Sequence, residues 1–281
     1  MLRRSPGRAT IRMPFPPLKI ESAHGVIGVQ LDEPQPRTAA ASQALAAALS
    51  ADFPASMQEL PVQPDAPAEM PHLVLQSKSA HVLFSRVQAD FEARFFGGHE
   101  RNPEQCREFV GEKMSALLAA WTSGGAQPVM TGMIVTLHFV TPDDSEVPAV
   151  QHLLETHLNP HMNSDSVNEG KISLGLRLND HYYLTLGIST YEGRQVNRVF
   201  GPGIGAAVIR PWDAEVVEEG IEVTVDVNDR LRALVQKKHT RVDRDEVLQV
   251  NNLAWDIVKR IAIPLASEGI LDISTLQQVV A

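Results

Sequence analysis

Three histidines lie close together at His152, His157 and His161, with Glu155 among them, and they form the best metal-ligand candidate in the chain. Imidazole and carboxylate groups suit zinc and related ions. Two ligands on one helix must stand three or four residues apart to reach a single ion, as in His-Glu-x-x-His. His152 and His157 stand five apart, which is about 140° around a helix at about 100° per residue. His161 follows Pro160 and falls outside the helix. The spacing reads as a solvated histidine face, and no metal or other cofactor is expected.

The remaining chemical candidates are weaker. Gly201-Pro202-Gly203-Ile204-Gly205 has the glycine density of a phosphate loop. It lacks the Lys-Ser/Thr of a Walker loop and the helix and distal acid of a dinucleotide site, so it reads as a bend between strands. No Gly-x-Ser-x-Gly elbow or kinase motif set is present. Cys106 shares a helical face with Phe109, Val110, Met114, Leu117 and Trp121, so it reads as a core thiol, which burial makes unreactive. Asp143, Asp144 and Glu146 precede a helix, where acids complement the dipole. Glu218 and Glu219 lead into a strand and receive no catalytic role. A contact surface is expected at Arg177, His181, Tyr182 and Tyr183, because Tyr and Arg are favoured in interfaces.

Those last residues sit on the clearest element in the chain, Lys171–Ser189. Ile172, Leu174, Leu176 and Leu178 alternate with polar or small residues, Asn179-Asp180-His181 supplies a turn, and Tyr182, Leu184, Leu186 and Ile188 resume the alternation. The pattern predicts a hairpin inside a larger antiparallel sheet. Further strands are predicted at Leu18–Leu31, His72–Leu75, Ala80–Ser85, Val87–Phe95, Val129–Val140 and Ile221–Val227, with Val129–Val140 placed centrally. Helices are predicted at Arg37–Phe53, from Asn102-Pro103 to Ser123, at Ser145–Leu158, from Asp229 to Lys237, and from Asp243 or Asp245 to Pro264, which ends or kinks the last one. The proline-rich stretch Pro54–Pro71 reads as a loop or internal linker. Strands in meandering groups interrupted by helices mean α+β, a mainly antiparallel sheet in two lobes with helices packed on one face. Residues 1–12 read as a disordered basic arm or an over-called start, 13–140 as an N-terminal lobe and 141–281 as a C-terminal lobe. The two halves share a loose order of elements without a residue-level repeat.

The 281 residues are 43% hydrophobic and 21% charged, proportions that place the chain among folded globular proteins. No apolar run reaches membrane-spanning length and residues 1–13 lack an apolar secretory core, so a cytoplasmic protein is expected. The net charge is −9, and setting aside the arm's Arg3, Arg4, Arg8 and Arg12 leaves the body at −13. An acidic body repels phosphate backbones, which argues against nucleic acid as a partner. Alternating Val, Phe and Tyr strands invite edge pairing or face packing, so a homodimer is expected.

The order of these features resembles a sporadically distributed family of uncharacterised bacterial proteins of about this length. The resemblance runs through Pro14-Phe15-Pro16-Pro17-Leu18 leading to Val26–Leu31, then Asp52-Phe53-Pro54 after the first helix. It continues in Ile134–Val140, Val147–Leu158 and Asn159-Pro160 ahead of the hairpin, and in Ile221–Val227 before the closing helix. It covers nearly the whole chain from residue 13 and leaves out the arginine arm. The family implies no known activity and transfers no catalytic residue. The expected function is a non-catalytic binding or interaction protein, of the kind that accompanies bacterial defence or toxin modules. The alternative is a hydrolase or metal-dependent enzyme whose site is assembled from residues distant in sequence.

Overall fold

A computed structural model describes residues 18–30, 34–35, 38–51, 56–63, 65–141, 149, 151, 153, 170–195, 214–229 and 241–280. The histidine group 152/157/161, the bend at 201–205, residues 230–237 and the arm lie outside the described residues. The strands are β1 (Leu18–Gly28), β2 (Ser56–Glu59), β3 (Leu73–Gln76), β4 (Ala80–Phe84), β5 (Gln88–Arg94), β6 (Met130–Val140), β7 (Lys171–Arg177), β8 (Tyr183–Gln195) and β9 (Glu215–Asn228). The helices are α1 (Ala39–Leu49), α2 (Pro103–Ser123), α3 (Arg244–Ile257), α4 (Ile263–Glu268) and α5 (Ile273–Val280). The fold class is α+β. The nine described strands join one antiparallel sheet in the order β2-β3-β4-β5-β1-β6-β9-β8-β7.

Each half of the chain builds one side of that sheet by the same route. A strand of 11 residues comes first, β1 or β6. A helix follows, α1 in one half and residues 149, 151 and 153, which are helical, in the other. An antiparallel meander then returns so that its last strand, β5 or β9, pairs with the first, and a long helix, α2 or α3, closes the unit. The two first strands pair with each other in the middle, and their midpoints, Ala23 and Val135, are register partners. This is the topology of a two-fold duplication, and it gives the loosely similar order in the sequence a physical form. The boundary expected between the lobes falls at the end of β6, inside one continuous sheet and one buried cluster.

The described helices cover one face. Met133, Val135, Leu137 and Phe139 of β6 and Val223, Val225 and Val227 of β9 are buried there with α2 and α3. Helix α2 lies so close on β1 that a Cβ at Gly25 would run into the Met114 thioether. Buried Asn251 locks α3 to α2, its Nδ2 donating to the Arg107 carbonyl at 3.1 Å while its Oδ1 accepts the Trp255 indole N–H at 3.1 Å. Lys259, just beyond α3, ion-pairs with Glu104 of α2 across the same seam, and Glu104 also pairs with Arg107 within α2.

Three features differ from the sequence reading. The proline-rich stretch contains β2, a fully exposed edge strand whose residues show no burial alternation to read. Of the two effects expected of Pro264, an end or a kink, the end does not occur. The backbone widens into a π turn over Val258–Ala262, and α4 continues to Gly269, whose φ of +69° forms the left-handed stop. A π turn just before proline absorbs the missing N–H and the clash with the preceding turn. Finally, α5 was not anticipated. Asp272 starts it by accepting the amides of Ser274 and Thr275 at 2.9 and 3.1 Å.

Replacing Asn251 by Ala leaves the buried Trp255 donor unsatisfied and should cost about 2 kcal/mol in denaturant unfolding. The change Gln249→Ala, at an exposed position of the same helix, should stay within about 0.5 kcal/mol.

Candidate functional site

The opposite face of the sheet carries the alternate, polar side chains, and most of them are half-exposed. Val26 and Asn228, at one end, are buried exceptions. The densest group of ionisable residues lies toward the other end, where β1, β6, β9 and β8 run side by side. Register places Lys19 opposite His138, His138 opposite Glu222, and Tyr191 opposite Gly220. A bulge between Ile20 and Ser22 inserts Glu21 into β1, and bulges re-aim side chains. Glu21 thereby comes within 3.7 Å of the His138 ring.

His138 sits at the centre, its side chain 12% exposed. Its Nε2 is 3.2 Å from Glu222 Oε2. Its Nδ1 is buried without a hydrogen bond and faces carboxylate oxygens of Glu21 and Glu218, each at 3.7 Å. The imidazole stacks on the Tyr191 ring, with centroids 3.9 Å apart at 19°. Gly220 makes this stacking possible, because a Cβ there would strike the Phe139 carbonyl and crowd the tyrosine ring. The Tyr191 hydroxyl donates to Glu218 Oε1 at 2.9 Å. Lys19 bridges Glu21 at 3.1 Å and Glu218 at 3.6 Å.

The charges bear on one another. The hydrogen bond from His138 holds the Glu222 carboxyl below its ordinary range against the opposing effect of burial. Burial pushes the Tyr191 phenol well up, and the Glu218 hydrogen bond adds to it, so the ring stays a neutral donor. Burial pulls the Lys19 ammonium down, but Glu21 and Glu218 together overcome it and leave it raised. Three carboxylates face one lysine, so the cluster keeps a surplus of negative charge even when His138 is protonated. Both ring nitrogens of His138 face carboxylates, so no described hydroxyl or thiol stands where the imidazole could activate it. Among the described residues no group of His, Cys, Asp and Glu is arranged to hold a metal ion.

Two further histidine–carboxylate pairs lie on the same face. His24 Nε2 is 3.2 Å from Asp90, and His81 Nε2 is 3.4 Å from Glu92. His24 and His138 stand on adjacent strands four residues apart in register, a separation of about 13 Å at about 3.3 Å per residue. The pairs are therefore spread over the face and do not converge on one reacting atom.

The hairpin tip is divided between the two faces. Consecutive strand residues point oppositely, so Tyr182 turns inward at 4% exposure while Tyr183 lies over Gly175 on the polar face. Arg177 and His181 are exposed, and Arg177 holds Asp180 at 2.6 Å. Tyr182 lines a cleft of about 340 Å³ with Asp245, Asn252, Asp256 and Val279, between the hairpin and helices α3 and α5. Cys106 is buried, its thiol donating to the His99 carbonyl at 3.2 Å, and burial, aided by Glu100, pushes it up to about 12. It is a poor nucleophile at neutral pH. The sequence reading passed over Glu21, His138, Tyr191 and Glu222, and gave Glu218 no role. Nothing in their local spacing links them, and only the β1–β6–β9–β8 register does. The chain matches no protein-family model and no curated protein sequence.

Because the folded pKa of Glu222 is depressed, its ionised form stabilises the protein above its ordinary value of 4.5, and that contribution fades as pH falls through the lower folded value. The stability margin of the native chain over Glu222→Gln should narrow as pH drops from about 5 to about 3. A margin that stays flat across that window in urea titrations would contradict the pairing with His138.

Proposed function

We propose that this is a non-catalytic binding protein that receives a cationic protein segment on the polar face of its sheet. The carrying observation is the cluster around His138, which leaves carboxylate charge uncompensated on a broad sheet face that the described helices do not cover. Asp90, Glu92 and Asp226 extend the acidic character along the same face, and the body as a whole carries −13 once the arm is set aside. Such a surface attracts Lys- or Arg-rich segments and repels phosphate backbones. The ionisable groups are held by one another and not aimed at a nucleophile, which favours recognition over hydrolysis. The partner is a protein, and the kinship with accessory proteins of bacterial defence or toxin modules belongs to the same proposal.

Fluorescence anisotropy with a labelled nona-lysine peptide tests this reading. Binding is expected to weaken with salt and to fall about tenfold when Glu218→Gln and Glu222→Gln are combined, with a nona-glutamate peptide not binding. Equal binding of both peptides, or no loss in the double variant, would refute it. Stoichiometric zinc or iron in the purified protein would turn the reading toward a metal enzyme.

A further inference from the structure

The hairpin that dominates the sequence lies at one end of the described sheet. Among the described residues β7 pairs with β8 alone. On the core side, Leu184, Leu186 and Ile188 of β8 are fully buried. Their register partners Leu176, Leu174 and Ile172 are not, and Leu174 is 36% exposed. The apolar layer thus extends one strand further than the side chains that cover it. On the polar side, the Tyr183 side chain fills the space over Gly175. A sheet edge whose outer backbone groups have no strand partner among the described residues, beside a half-covered apolar row, is a template for another strand.

Charge decides what kind of strand. β7 begins at Lys171 and ends at Arg177, both exposed. A second copy of β7 pairing antiparallel over all seven residues would set Lys171 opposite Arg177 at both ends. Like charges directly opposite one another destabilise a pair. A strand with an acid at each end and apolar residues at alternate positions between them meets the same edge favourably. The Arg177–Asp180 pair is largely solvent-exposed, so it leaves the arginine able to engage a new carboxylate.

We infer that β7 is a strand-addition site for an extended, acid-flanked segment of another protein, and that the cations at its ends bar self-pairing in the full register. This rests on the reading that the protein binds proteins, but the docking element is the open β7 edge and not the His138 ring, although Lys171 lies near enough to Glu222 to help hold its carboxyl low.

The probes are two blocked heptapeptides, EVTVTVE and KVTVTVK, read by amide hydrogen exchange of residues 171–177 in the full chain. The glutamate-ended peptide is expected to slow exchange of those amides and to bind at least about tenfold more tightly than the lysine-ended one. Combining Lys171→Glu with Arg177→Glu should invert that preference, with unchanged exchange in β9 showing that the variant is folded. Wild-type titrations at two salt concentrations need no variant. Only the glutamate-ended peptide should lose affinity as salt rises. Unchanged exchange at 171–177 with both peptides, or indifference to the terminal charges, would overturn the proposal. So would protection of those amides by raising the protein concentration alone. Glu218→Gln alone, which keeps Glu222 beside Lys171, should leave this binding intact, and the two proposals are read with different peptides, so failure here is distinguishable from failure of the proposed function.

Discussion

Everything else in this molecule hangs on the antiparallel seam between β1 and β6. These strands stand in the middle of the sheet, and each has a hydrogen-bonded neighbour on both sides. Their pairing over ten residue pairs is what makes one sheet of the two halves. It also sets the face on which every other side chain lies, because a slip of one residue would send the buried row of β6 into water. The bulge at Glu21 is the one irregularity in the seam, and it sits where the ionisable cluster forms. The function argued for this chain is thus a consequence of register. Lys19, Glu21, His138, Glu218 and Glu222 meet only because β1, β6 and β9 align in one way.

The sequence made the local structure legible and left the long-range pairing hidden. Period-two alternation is a property of single strands, so the hairpin, β5 and β9 could be read directly. The Asn102 and Asp243 caps could be read too, since a capping side chain reaches only three residues ahead. β2 escaped because a fully exposed edge strand has no buried row. The π turn escaped because Pro264 in a helical pattern ordinarily signals an end, and the accommodation lies upstream of it. The Asp272-Ile273-Ser274-Thr275 run was a readable cap, but the helix it opens is short. The His138 cluster had no local signature, since its members are contributed by four strands far apart in the chain. Glu218 looked like a solvated acid and proves to hold the Tyr191 hydroxyl.

The polar face and the open edge answer the same physical problem differently. A broad antiparallel sheet covered on one side must make its other side compatible with water. Here that is done by pairing each of His24, His81 and His138 with a carboxylate on a neighbouring strand, which keeps an acidic surplus on that face even though His138 Nδ1 is left without a hydrogen bond. Edges must be protected from indiscriminate pairing. β2 is short and wholly exposed, whereas β7 carries a cation at each end.

Native-state hydrogen exchange across a denaturant series tests the seam most directly. If β1 and β6 bind the halves into one cooperative unit, the amides of residues 20–27 and 133–139 should share the highest protection and the denaturant dependence of global unfolding. Amides of β5 and β9 should join them in the same event. Two separate isotherms, with one half opening while the other stays protected, would contradict the account.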